Sequence, residues 1–127
     1  MKVVQKESNQ VLLPWPPKVL SPNARSHWAT RSRAAKAYRS RCFLGAKLVG
    51  LTAPAGRLLL VIEFLPPNRA RRDDDNLIAA FKSGRDGLAD ALGVDDCLFV
   101  TQCSLSAEVR PGGAVRVTLK PYVEVPH

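Results

Sequence analysis

The sequence predicts a small mixed α/β domain, an α+β fold of order β-α-β-α-β-β, and three observations support this. Apolar runs rich in β-branched residues and bounded by proline or glycine alternate with two stretches of helical spacing. The 127 residues, 46% of them hydrophobic, suffice for one core and are too few to divide comfortably into two. No repeat or low-complexity segment interrupts the order, so residues 1–127 read as a single domain with a mixed sheet and two helices.

Val11-Leu12-Leu13-Pro14-Trp15 is short, apolar and closed by proline, which suits an edge strand entering a rigid loop through Pro16, Pro17 and Pro22. From Thr30 to Val49 the pattern turns helical. Ala34, Ala37, Tyr38, Cys42, Leu44 and Leu48 recur every three to four residues, with Arg31, Arg33, Arg39, Arg41 and Lys47 largely between them, and Gly50 is placed to end the helix. A membrane-surface helix would want a stronger aromatic or leucine edge, so the apolar side is assigned to a sheet.

Arg57–Leu65 is almost wholly apolar and lies between Pro54 and Pro66-Pro67, as a central strand should. It delivers the chain to a basic loop, Asn68–Arg72. Asn76–Leu92 is helical in the spacing of Leu77, Ile78, Phe81, Leu88 and Leu92, with Asp75 as N-cap and Gly93 as stop. Gly84 and Gly87 each weaken that helix by up to about 1 kcal/mol relative to Ala, which implies a packing reason or a break. Leu98–Val109 and Ala114–Val123, joined through Arg110-Pro111-Gly112-Gly113, read as a hairpin. Val115, Val117 and Leu119 alternate with Arg116, Thr118 and Lys120, so one face of the last strand meets water.

The net charge is +8 and the pI about 9.9. Ten of the 19 Lys and Arg stand in residues 1–50 against one acid, Glu7, whereas the rest of the chain is balanced. The front is therefore the part expected to face a polyanion, the alternative being a solvated helix face. No window approaches a membrane span, and Met1–Glu7 lacks the apolar centre of a leader peptide, so the expected location is the cytoplasm. Cys42, Cys97 and Cys103 have no C-x-x-C spacing and with His27 and His127 make a poor zinc set; they read as reduced core thiols. Trp15 and Trp28 are assigned to packing in preference to base stacking, because indole carries a large apolar area.

Arg71-Arg72-Asp73-Asp74-Asp75-Asn76 is the most informative stretch. Adjacent carboxylates repel by roughly 3 kcal/mol per pair at ~5 Å and an effective dielectric of about 20, and a hard divalent cation removes that cost. Asp73 and Asp75, two apart, share a side in an extended or turning segment. Asp95-Asp96 follows Gly93, and an antiparallel return would set it beside them. Three or four converging carboxylates would hold one or two Mg²⁺ ions, or Mn²⁺, while Arg69, Arg71 and Arg72 grip phosphates on either side. Acidic pairs at helix N-termini also serve as plain caps, so spacing alone leaves both readings open. An EF-hand loop is excluded by Leu77 and Ile78 at its fifth and sixth places. An aspartyl-phosphate phosphatase sets its nucleophile at the strand end, where Pro66–Arg72 intervene, and a nucleotide-sugar transferase needs a much longer chain.

The motifs L-P-W-P-P (Leu13–Pro17), R-R-D-x-D-N (Arg71–Asn76), Lys82 with Asp86-Gly87-Leu88, and G-V-D-D (Gly93–Asp96) resemble the RusA family of crossover junction endodeoxyribonucleases, the Holliday junction resolvases. The resemblance spans roughly residues 10–120 and implies a RusA-like fold, a homodimer and Mg²⁺-dependent cleavage of four-way DNA junctions in recombination and repair. By position, Asp73, Asp75 and Asp96 match the family's metal-binding carboxylates, Asp95 its acidic neighbour and Lys82 its catalytic lysine. Two departures stand out: Asp74 is often apolar in relatives, and Ala79 occupies the nearer D-N-x-x-K place, one helical turn before Lys82.

Two symmetric nicks need two acidic clusters, which a two-fold dimer of this chain would supply. Two other functions compete with junction resolution: a non-catalytic basic DNA-binding module, and a nuclease of unbranched DNA. All three readings require phosphate contacts from the basic half. With ~5 such contacts, log K for DNA against log salt should fall with a slope near about −4.5. Fluorescence anisotropy across a salt series measures it, and a flat dependence would mean that the charge excess does not bind DNA.

Overall fold

The computed structural model describes residues 9–123. Met1–Glu7 and His127 lie outside the described residues. The elements are β1 (Gln10–Pro14), α1 (Trp28–Leu48), β2 (Leu58–Leu65), α2 (Asp74–Ala80), α3 (Lys82–Leu92), β3 (Phe99–Leu105) and β4 (Ala114–Pro121), with 3₁₀ turns at Lys18–Leu20 and Asp96–Leu98. The mixed α/β single domain expected from the sequence is present.

The strands lie in the order β1-β4-β2-β3. Leu58, Leu60, Ile62, Phe64 and Leu65 of β2 are buried, each side chain worth about 1.5–3 kcal/mol. A strand buried to this degree needs a neighbour on both edges, because an unpaired buried N–H or C=O is costly. β4 covers one edge antiparallel, from Leu58↔Pro121 to Leu65↔Ala114, and β3 covers the other in parallel, from Leu58↔Phe99 to Phe64↔Leu105. The expected hairpin between the last two strands is therefore absent. β3 and β4 stand on opposite sides of β2, and residues 106–113 cross its end with Ser106 N–H donating to Phe64 O and Arg110 N–H to Pro66 O. A parallel β2–β3 pair requires the crossover that α2 and α3 provide. β1 is the other edge, as its prolines suggest.

α1 and α3 pack on one face of the sheet, while Leu12, Arg116, Thr118 and Lys120 point out from the other. The buried stripe of α1 is Tyr38, Cys42 and Ala46, spaced by four. Leu44 and Leu48, expected on that face, are 56% and 86% exposed because each lies two residues, about 200° around the helix, beyond a residue of the buried stripe, Cys42 and Ala46 respectively. Gly50 and Gly93 end their helices as anticipated, at φ +68° and +67°. Among the described residues no helix is long and apolar enough to cross a membrane.

The second predicted helix is two. It breaks at Phe81, whose ring is wedged edge-on between Tyr38 and Phe64 with centroids 6.1 Å from each. The glycines have the packing reason their cost implied. A Cβ on Gly87 would sit 2.3 Å from the Arg39 carbonyl oxygen of α1, and one on Gly84 2.7 Å from the Phe81 ring. The Arg39–Asp90 fork, 2.6 and 2.9 Å, spans the same crossing. Gly87→Ala should therefore destabilise the protein by at least about 2 kcal/mol, against the gain of about 1 kcal/mol that helix propensity alone would bring. Urea denaturation midpoints decide between the two signs.

Candidate functional site

The chain leaves β2 at Pro66-Pro67 and forms a loop that Arg72 holds together. Its guanidinium donates to the carbonyls of Asn68 and Ala70 and to Asn68 Oδ1, at 2.8–2.9 Å, and lies 5.7 Å from the centroid of Trp15. Five donors in a rigid fork are thus largely committed to the loop. Arg71, one residue earlier, is exposed and makes no hydrogen bond or ion pair within the described residues. The three arginines expected to grip phosphates divide accordingly: Arg69 and Arg71 are exposed, and Arg72 is structural.

Helix α2 is capped by Asp73, whose Oδ1 accepts the Asp75 N–H at 2.8 Å. The cap lies two residues before the expected Asp75, and it changes the geometry of the acidic stretch. Asp74 and Asp75 fall in the first helical turn, so the alternation that placed Asp73 and Asp75 on one side does not apply. Asp73 borders a cleft of about 670 Å³ lined by Trp15, Lys18, Ser21, Asn23, Arg71 and Asn76 among others. Asp74 and Asp75 border a smaller hollow of about 210 Å³ with Phe64, Ile78 and Cys103–Leu105.

The second acidic pair lies elsewhere. Asp95 caps the 3₁₀ turn by accepting the Cys97 N–H at 2.9 Å, and that hydrogen bond holds its carboxyl below the usual carboxylate range. Asp96 is 3.8 Å from the Arg85 guanidinium, which also reaches its carbonyl and stands 5.4 Å from the Phe99 ring centroid. Both aspartates share a hollow with Arg39, Asp86 and Asp90. Among the described residues no three His, Cys, Asp or Glu side chains are grouped to hold a metal ion. The expected convergence of Asp73, Asp75 and Asp96 does not occur within one chain.

Lys82 opens α3, largely exposed and 3.7 Å from Asp86. It stands at the rim of a mostly apolar pocket of about 340 Å³ between α2, α3 and β3, with Arg85 on the same rim. The cysteines are free. Cys42 is in the core, where burial pushes its thiol up to about 11, but Cys97 is exposed and Cys103 half-buried, so the description as core thiols holds for Cys42 alone. The nearby Asp95 raises the Cys97 thiol. Trp15 packs edge-on against Phe64, as expected, whereas Trp28 is 75% exposed at the start of α1 beside the His27 ring.

No family model matches the chain. Over 118 residues it is 48% identical to an uncharacterized protein of Xylella fastidiosa, an alignment covering 90% of this chain and 77% of that protein. The chain belongs to that protein's family. The name of this relative carries no activity, so the functional reading rests on the residues above.

Sequence reasoning missed Lys18, Asn23 and Arg85. Lys18 stood among prolines with no charge pattern around it, and Arg85 lies one helical turn beyond Lys82, a spacing that places both on one face. The division between Arg71 and Arg72 has a direct consequence. Arg72→Ala should lower stability by about 1–2 kcal/mol through the lost loop hydrogen bonds, whereas Arg71→Ala should stay within about 0.5 kcal/mol of the parent. Thermal unfolding of the two variants checks this, and equal stabilities would contradict the caged geometry.

Proposed function

We propose that the protein is a metal-dependent endonuclease of the RusA kind, acting as a homodimer on branched DNA in recombination or repair, with each carboxylate site shared between two chains. The observation that carries this reading is the acidic turn Asp73–Asp75, set between a cleft whose cations Lys18 and Arg71 make no ion pair among the described residues and an open edge strand.

In one chain the carboxylates do not fit a divalent ion. Asp73 is engaged as a cap, Asp75 stands by Leu105 at one end of β3, and Asp96 precedes Phe99 at the other, about 20 Å away at ~3.3 Å per residue. β3 suggests how a second chain closes that gap. Its seven residues carry no charge and no proline, and it pairs with β2 alone. Such an edge is a template for another strand. Antiparallel pairing of two β3 strands about a two-fold axis near Gln102 would set Leu105 opposite Phe99 of the partner subunit. Asp75 and the partner's Asp96 would then lie at the same end of a continuous sheet with the helices of both chains on one face.

A divalent ion bound by that set would activate a water and stabilise the departing oxyanion. The protein's own contribution is positioning. Arg69 and Arg71 meet phosphates, Lys82 at the first position of α3 brings positive charge to the Asp75 side, and Asp96 is oriented by Arg85. The competing reading, a non-catalytic DNA-binding module, draws on the fact that Asp73 and Asp95 do act as caps.

Labelled four-way junctions with Mg²⁺ should receive paired symmetric nicks that matched linear duplexes do not, and absence of cleavage with Mg²⁺ or Mn²⁺ would favour the binding module. Asp75→Asn and Asp96→Asn homodimers should each bind junctions without cutting them. Mixing the two variants separates a shared site from an internal one. A mixed dimer with shared sites retains one intact site, so about a quarter of all sites recover and single nicks return. Sites internal to each chain would leave the mixture inactive.

A further inference from the structure

We infer that the cleft between the Pro-rich loop and the start of α2 seats an unpaired nucleotide of a DNA strand, next to the acidic turn. This deepens the nuclease reading and rests on it. The cleft measures about 670 Å³, room for one or two nucleotides and far too little for a duplex. Its walls are mixed: Trp15, Pro16, Pro17 and Leu77 are apolar, whereas Lys18, Ser21, Asn23, Arg71 and Asn76 bring donors and two positive charges. A bare phosphate has no use for the apolar walls, and an apolar ligand none for the cations. A nucleotide, with a flat base and an anionic phosphate, uses both.

The cleft is also preorganised. Arg72 lines it with its guanidinium held by three hydrogen bonds and packed against Trp15, so a planar cation is presented at a fixed orientation. A base stacking there would meet a surface that loses little freedom on binding. Lys18 and Arg71 are exposed, make no ion pair among the described residues and suit the phosphate. The Asp73 carboxylate at the rim opposes phosphate close to itself, which directs the backbone toward those two cations. Duplex DNA keeps its bases stacked inside, so a branch point, with bases partly unstacked, supplies such a nucleotide more readily than an unbroken helix.

The test is made in chelator, where cleavage cannot contribute. In a Trp28→Phe background Trp15 is the single tryptophan, and hexathymidylate should quench its fluorescence saturably, with a longer blunt duplex, stable at the assay temperature and matched in nucleotide concentration, quenching far less. The Lys18→Ala, Arg71→Ala double variant should bind hexathymidylate at least about tenfold more weakly with its melting temperature unchanged. Inorganic phosphate displacing the oligonucleotide completely would reduce the cleft to an anion site and overturn the proposal. Equal quenching by the duplex, or undiminished affinity in the double variant, would overturn it as well. If the oligonucleotide binds as expected and junctions are not cut with Mg²⁺ or Mn²⁺, the nuclease reading fails while the seat stands.

Discussion

The arrangement of the molecule depends on the burial of β2. Leu58–Leu65 places five large side chains in the core and sits between two other strands, so both rows of its backbone groups must be satisfied by strands from distant parts of the chain. Antiparallel pairing with β4 satisfies one row. The other is met by β3 in parallel, and a parallel neighbour cannot be reached by a tight turn. The chain must leave the end of β2, cross the sheet and return to the beginning. That crossover puts the loop 66–73 and its aspartates at one end of the sheet and Asp95-Asp96 at the opposite end. The separation of the two acidic pairs is thus a consequence of topology and not of local preference.

How closely the crossover lies on the sheet is decided where α1 meets α3. Gly87 lets the Arg39 backbone approach to a distance no side chain would allow, and Tyr38 reaches past Gly84 to the Phe81 ring. A straight helix from Asp74 to Leu92 could not both make this crossing and cap itself above the end of β2. The break at Phe81 resolves the conflict, and the phenylalanine fills the space it opens between Tyr38 and Phe64. It also gives Lys82 the first position of a new helix, on the rim of the pocket beside β3. The glycines that look like defects in a helical pattern are what permits the geometry of the site.

Much of this was legible in the sequence. Apolar runs, prolines and Gly50 and Gly93 marked the elements and their ends, since those signals act over a few residues. The weakness introduced by Gly84 and Gly87 pointed to a close approach without saying to what. The strand order was not legible, because Arg110–Gly113 has the composition of a hairpin turn and composition does not reveal that β2 intervenes. Nor was the fate of individual polar side chains. Arg71 and Arg72 are chemically identical neighbours, and the presence of Trp15 and the Asn68 carbonyl around one of them decides which is left for a ligand. Asp73 displaces Asp75 as cap for a similar reason: three consecutive aspartates can each start a helix, and the chain direction after Arg72 selects the first.

Keeping the acidic pairs apart has an electrostatic logic on the proposed reading. Carboxylates crowded within one chain would repel one another by about 3 kcal/mol per close pair in the absence of a cation, a cost that the folded monomer avoids by engaging Asp73 and Asp95 as caps and setting Asp96 against Arg85. The open edge of β3 presents the opposite problem. An uncharged strand of seven residues invites pairing without limit unless the pairing closes on itself. A two-fold axis does close it, since each chain has one such edge and the other end of the sheet is β1, which runs into prolines. One act of association would thereby protect the edge and assemble the carboxylates, so that the crowded anionic site exists where a second chain and a cation are both at hand.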